Sequence, residues 1–295
     1  MSTPPTEFPA PECVAVPIPC GPDASSTARI GTYVLDATGG DSLGDVVICH
    51  GTPWSSRMWL PLARRLSSRW RVHLWDMPGY GTSLEANAAS PVDLVAQRTR
   101  FARLLRHWDL AAPHVIAHDI GGAAALGAHL FEGSRFGSLH LSDIVTLSPW
   151  GSPFFRLVAE SQGVFAALPP ALHRALVTEY IAGAGGPGLS REWITELARP
   201  WTTPAGQTAF YRQIATLRPE HTAPIAARLA KVRCPVRIAW GESDPWIPVA
   251  HADALAAALP GRPEVTRFPT VGHLAVLEAP EDFAAEVVTW LSTQA

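Results

Sequence analysis

The stretch Ala117-His-Asp-Ile-Gly-Gly122 constrains the fold more than any other. It closes an apolar run, residues 113–118, and opens an Ala/Gly-rich helical segment, residues 121–130. Small residues around Asp119 permit a sharp strand-to-helix turn, which lifts one side chain above a sheet. Further short apolar runs lie at 45–50, 71–75, 235–240 and 264–268, and another falls within 139–147. Helical patterns occupy 92–108, 250–258 and 281–291. Short buried strands alternating with amphipathic helices predict an α/β fold, with a mostly parallel central sheet flanked by helices on both faces.

One stretch breaks the alternation. From Trp150 to about Thr222 the pattern is helical, interrupted by Pro, Gly and Trp, and shows no strand. It reads as an inserted helical cap, 149–222, in a core formed by 25–148 and 223–295. The run Gly183-Ala-Gly-Gly-Pro-Gly188 reads as a flexible cap loop. Residues 1–24 read as a loose Pro-rich tail that leads into a first strand at about 13–19. The tail lacks the basic start and apolar core of a secretory signal.

Composition narrows the classes. At 295 residues and 47% hydrophobic, the chain can bury a large core. A formal net charge of −3 provides no basic field for nucleic acid. No apolar run is long enough to cross a membrane. The cysteines at 13, 20, 49 and 234 form no C-x-x-C pair, which argues against a zinc site of that kind. A cytoplasmic protein acting on a small molecule is expected.

Four motifs carry candidate chemistry. Asp119 sits where a sharp turn would present a nucleophile; the same carboxylate would also serve as a helix N-cap. A Gly-x-Ser-x-Gly pattern at Gly40-Asp-Ser-Leu-Gly44 precedes a strand and reads as a turn. In His50-Gly-Thr-Pro53 the loop can aim the Thr52 N–H at the same point as that of Ile120, giving a two-amide oxyanion hole, although Gly-Thr-Pro is also a plain tight turn. Val271-Gly-His-Leu274 follows the last strand and places His273 over the sheet's C-terminal edge as a base. His251 and His221 read as surface and cap residues. An acid to orient His273 comes from Asp244, in Trp240-Gly-Glu-Ser-Asp-Pro-Trp246, or from its rival Asp143. Asp143 would lie on the wrong edge if its strand is 144–147, and would face the crevice if the strand ends earlier.

The order nucleophile, acid, base is that of the α/β-hydrolase fold. Together with His50-Gly-Thr-Pro-Trp-Ser-Ser-Arg-Met-Trp59, Asp76-Met-Pro-Gly-Tyr-Gly-Thr-Ser83, His118-Asp-Ile-Gly-Gly122 and Gly272-His273, it resembles the aspartate-nucleophile branch of that superfamily over about residues 28–293. That branch contains epoxide hydrolases, haloalkane dehalogenases and fluoroacetate dehalogenases. The resemblance implies that Asp119 forms an alkyl–enzyme ester and that His273 then activates water to cleave it. No metal or organic cofactor is implied.

The electrophile is narrowed by what the motifs hold. Haloalkane dehalogenases usually carry Trp after the nucleophile and Asn in the His-Gly-Asn-Pro loop; here those places are Ile120 and Thr52, and the only Asn is Asn87. Fluoroacetate dehalogenases carry Arg where Ile120 stands, and an acid where this chain reads Ser148-Pro149-Trp150. Epoxide opening needs an acid for the leaving alkoxide, which cap tyrosines supply in epoxide hydrolases. Phe210-Tyr-Arg-Gln213 resembles the segment that carries one of these, so Tyr211 is expected first and Tyr180 second, unless both merely pack. His50, Trp54, His118, Trp150 and Phe154 are expected at the pocket. Phe154, Phe155, Phe165 and Leu168 favour an apolar substrate. The expected activity is epoxide hydrolase-like, with a haloalkane or haloacid dehalogenase as the alternative and a noncatalytic small-molecule binder as the third.

Overall fold

The computed structural model describes residues 3–5, 7–17, 27–85 and 90–294; Cys20 and Asn87 lie outside them. Eight strands form one sheet: β1 (Glu12–Pro17), β2 (Thr27–Leu35), β3 (Asp45–Cys49), β4 (Arg71–Trp75), β5 (His114–His118), β6 (Ser138–Ser142), β7 (Val236–Gly241) and β8 (Val265–Phe268). Their order is β1-β2-β4-β3-β5-β6-β7-β8. β1 and β2 are antiparallel to their neighbours, and the other strands run parallel. β5 and β6 are buried along their whole length, as strands covered on both faces must be.

The covering helices are α1 (Leu60–Leu66), α2 (Leu94–His107), α3 (Ile120–Phe131), α4 (Pro153–Ala166), α5 (Pro170–Ala182), α6 (Arg191–Ala198), α7 (Pro204–Thr216), α8 (Ala223–Ala226), α9 (Ala250–Ala258), α10 (Ala275–Glu278) and α11 (Pro280–Ser292). Five of them, α4 to α8, lie between β6 and β7, and among the described residues no strand interrupts them. No helix among the described residues is long and apolar enough to cross a membrane.

The structure departs from the sequence reading in two places, at β2 and at the run 183–188. β2 was not anticipated, because Gly31 interrupts its apolar alternation. A Cβ there would lie 2.0 Å from Thr82 Oγ1, so the strand carries Gly to admit that loop. The first strand, expected at about 13–19, is the edge strand β1 at Glu12–Pro17, with residues 18 and 19 outside the described residues. The supposedly flexible run 183–188 packs against other backbone: a Cβ on Gly186 would lie 2.8 Å from the Thr270 carbonyl oxygen.

β3 connects outward to β4 on one side, while β5 lies on its other side. Ligands collect outside the carboxyl ends of parallel strands at such a switch point. Register puts Cys49 beside both Trp75 and Ala117, so the loops after β3, β4 and β5 emerge together at that edge.

Candidate active site

Asp119 follows β5 directly, with φ 52° and ψ −127°, a backbone conformation rarely adopted by residues other than Gly. Its side chain caps no helical amide, which removes the N-cap alternative. The turn is tight because its neighbours are small. A Cβ on Gly121 would sit 2.5 Å from the Cys49 and His50 carbonyl oxygens, and one on Gly51 would sit 2.3 Å from Asp119 Cβ.

The Thr52 N–H donates to Asp119 Oδ1 at 2.8 Å. Asp119 Oδ2 lies 3.4 Å from His273 Nε2. Ile120 opens α3, so its N–H belongs to the first turn and has no helical carbonyl to pair with. Burial alone would raise the Asp119 carboxyl. The hydrogen bond and charge of His273, with His118 and the Thr52 amide, bring it below the usual carboxylate value.

His273 is fully buried. Its Nδ1 donates to Asp244 Oδ2 at 2.8 Å, and Asp244 Oδ1 accepts from the Trp246 and Ile247 N–H groups at 2.7 and 3.0 Å. Burial disfavours the imidazolium, but Asp244 and Asp119 outweigh it and raise His273 well above its ordinary value. Asp143 follows β6, which ends at Ser142, so it does reach the crevice edge. It is held differently: Asp143 Oδ1 accepts from the Gly241 N–H at 2.9 Å and Oδ2 accepts from Ser142 Oγ at 2.8 Å. Burial, then the nearby Asp244 charge, raise Asp143 far above the carboxylate range. The geometry therefore favours Asp244 over its rival. Asp143, Asp244 and His273 are the described side chains whose donor atoms cluster within 4.8 Å of one another, and their polar partners are one another, the Ser142 hydroxyl and backbone N–H groups.

The two other histidines expected at the pocket are buried behind it. His50 Nε2 accepts from the Met77 N–H at 2.9 Å while Nδ1 donates to the Gly51 carbonyl at 2.8 Å, so His50 fastens its own loop. His118 Nε2 donates to the His273 carbonyl at 2.8 Å. Burial, then the His273 charge, press His118 down to about 3, so it stays neutral.

Above Asp119 lies a pocket whose walls include Ile120, Trp150, Phe155, Tyr180 and Trp246. Tyr180 stacks on Trp246 with ring centroids 4.7 Å apart. Burial, then the charge of Asp119, hold its phenol far above the ordinary value, so it remains protonated. Trp150 lines the pocket, but its indole N–H donates to Thr222 Oγ1 at 2.8 Å. Phe154 packs against Phe165 and Tyr180, and its neighbour Phe155 takes the wall position. Trp54, expected at the pocket, is not among its walls: it stacks on Trp246 at 5.6 Å, with its indole N–H buried and unpartnered.

Tyr211 is placed away from the pocket walls. Its hydroxyl lies 2.8 Å from His173 Nδ1, and His173 Nε2 lies 2.9 Å from the Trp201 carbonyl oxygen. A carbonyl only accepts, so Nε2 carries the ring proton and Tyr211 donates to Nδ1. That proton is committed to a cap contact because α7 turns this face toward α5. Tyr80 is a phenol the motifs did not single out. It is buried, and its surroundings include Thr52 and the charge of Asp119. The remaining acid of its motif, Asp76, is structural: it accepts from the N–H and hydroxyl groups of Ser56 and Thr82.

A parallel sheet with an inserted helical cap, and a buried Asp–His–Asp set at its switch point, define an α/β hydrolase-type protein. The Alpha/beta hydrolase family profile matches residues 46–286, and the chain belongs to that family. It is 40% identical to an α/β hydrolase fold protein from Burkholderia ambifaria, with a TM-score of 0.82 over 88% of this chain and 94% of that one. It is 23% identical to a pimeloyl-[acyl-carrier protein] methyl ester esterase from Aliivibrio salmonicida, over 85% of this chain and 93% of the relative. A haloalkane dehalogenase from Bradyrhizobium elkani shares the fold at 18% identity, with a TM-score of 0.76 over 97% of this chain and 98% of the other. Family and relatives support an enzyme that hydrolyses a small molecule.

Proposed function

We propose that this hydrolase works through a covalent ester on Asp119 and opens epoxides of apolar small molecules. The observation that carries the reading is the residue at the tip of the turn. A carboxylate there can displace a leaving group at sp³ carbon, whereas a serine would serve acyl transfer. Asp119 Oδ2, the oxygen not held by the Thr52 amide, attacks the epoxide carbon. The carbon–oxygen bond breaks, and the alkoxide takes the Tyr180 proton. Esterification removes the Asp119 charge that helps keep His273 protonated, so the imidazole gives up its proton to solvent and becomes a base. It then takes a proton from water, and the hydroxide adds to the ester carbonyl. The oxyanion is held by the Thr52 and Ile120 N–H groups. Collapse breaks the ester carbon–oxygen bond, the departing alkoxide takes the proton of the newly formed Asp119 carboxyl to leave as the diol, and the carboxylate is restored; a proton from solvent restores Tyr180.

One observation favours a second reading. The Trp54 indole N–H is buried without a partner, whereas that of Trp150 is taken; Trp54 stacks on the wall residue Trp246, so a departing halide would reach it only with that ring displaced. A dehalogenase would use the same ester.

The test is the intact mass of a His273→Gln variant after exposure to pooled epoxides and, separately, pooled haloalkanes. An adduct equal to the whole epoxide supports epoxide opening. An adduct equal to the alkyl group, with halide released, supports the dehalogenase. Adducts from neither pool overturn both in favour of a binder or a different chemistry.

A further inference from the structure

Glu278 ends α10, five residues after His273. Its carboxylate collects three main-chain donors from two separate segments. Oε2 accepts from the Gly186 N–H at 2.7 Å, in the cap, and from the Gly272 N–H at 3.0 Å, beside His273. Oε1 accepts from the Leu274 N–H at 3.2 Å, on the other side of His273. Hydrogen bonds to an ionised acceptor are about twice as strong as neutral ones. The glycines make this convergence possible. A Cβ on Gly272 would lie 2.4 Å from the Gly186 nitrogen and 2.7 Å from the Gly185 carbonyl carbon, and one on Gly188 would lie 2.8 Å from the Glu278 carbonyl oxygen.

His273 is held on both sides of its own peptide. Its N–H donates to the Ala184 carbonyl, in the cap, at 2.9 Å. Its carbonyl accepts from His118, in the core, at 2.8 Å. One of its main-chain bonds therefore exists only while the 184–188 segment is seated, and Glu278 is the side chain that ties this segment to the loop carrying the imidazole.

We propose that Glu278 is a positioning residue that couples seating of the cap to placement of His273. The inference rests on the reading of His273 as the base. With the cap seated, Glu278 and Ala184 fix the loop and the imidazole points at Asp119. With the segment lifted, Gly272, His273 and Leu274 lose shared bonds and the ring is free to move. The base is then assembled only over a closed pocket, where water is limited to the molecule that cleaves the ester.

The test needs no substrate, so its outcome is separate from the chemistry at Asp119. Glu278→Ala and Glu278→Gln would be made in the full chain, together with Gly186→Ala, which changes neither Glu278 nor His273 but whose Cβ would press on Glu278 Oε2 and the Thr270 carbonyl oxygen, each 2.8 Å away, and so disturbs the same junction from the cap side. Amide exchange and the low-field His273 Nδ1 proton would be followed by NMR. In Glu278→Ala, exchange at Gly186 and at Gly272, His273 and Leu274 should rise together by about tenfold or more, as expected for loss of a charge-assisted hydrogen bond. Amides of β3 and β5 should hold, and the Nδ1 signal should shift or broaden. Glu278→Gln keeps an acceptor oxygen and should retain most of the signal. Gly186→Ala should move the Nδ1 signal as Glu278→Ala does, and this arm decides the matter even if Glu278→Ala does not fold. Loosening of the cap segment with the Nδ1 signal unmoved, in either variant, would overturn the coupling and leave Glu278 a structural tie.

Discussion

Tyr211 and Tyr180 should separate stability from chemistry. Tyr211 donates to His173 Nδ1, and His173 is 1% exposed. In Tyr211→Phe that nitrogen keeps its lone pair but loses its donor, because its other nitrogen is already spent on the Trp201 carbonyl. A buried acceptor left unsatisfied costs about 1–3 kcal/mol. In a chain of this size each kcal/mol is worth about 2 °C, so Tm should fall by roughly 2–6 °C. Turnover at saturating substrate should stay within about twofold, since the hydroxyl lies off the pocket. Tyr180→Phe should do the reverse. The ring still stacks on Trp246 and stability holds, but loss of the general acid lowers kcat for an epoxide by about 10²–10⁴-fold. The assay pairs calorimetry with diol formation from the epoxide that labels His273→Gln. A large loss of kcat in Tyr211→Phe without a fall in Tm would refute the assignment and return the acid role to Tyr211.

Two further predictions concern the buried acids and histidines. Asp244→Asn should cost about 10³–10⁴-fold in kcat by leaving His273 in the wrong tautomer, whereas Asp143→Asn resembles the protonated acid it replaces and should cost less than about tenfold; the opposite ranking in steady-state turnover would make Asp143 the triad acid. His118 binds its proton at about 3 in the folded state against 6.5 ordinarily, so the unfolded chain takes up protons first as pH falls. The stability it confers is complete above pH 6.5 and is lost progressively toward pH 3, with about 2 kcal/mol gone by pH 5. Urea midpoints for His118→Gln should therefore vary less with pH than those of the parent, and parallel curves would remove His118 as the source.

What the sequence disclosed follows from how local each feature is. Asp119, Thr52, Asp244 and His273 each stand at the end of a short apolar run. A parallel sheet carries all such ends to one edge, so order along the chain was enough to bring them together. Asp143 could be placed on that edge only once β6 was known to stop at Ser142. The cap was harder because a helix's period says which residues share a face, not what that face meets. Tyr211 and Tyr180 both sit on cap helices, and only the packing of α7 on α5 sends one hydroxyl to His173 while the other phenol walls the pocket.

The glycine run 183–188 shows the same limit in a sharper form. Glycine allows a free chain to wander, and it also allows two backbones to approach more closely than any Cβ permits. Composition is identical in the two cases, and only the opposing chain distinguishes them. Here that chain is the His273 loop, with Gly272 opposite Gly186 and Glu278 bonded to both nitrogens. A segment that reads as slack is therefore the place where the cap helices meet the His273 loop. Had the glycines served flexibility, alanine at 186 would be harmless or stabilising. Because they serve contact, it must displace either the cap segment or the His273 loop.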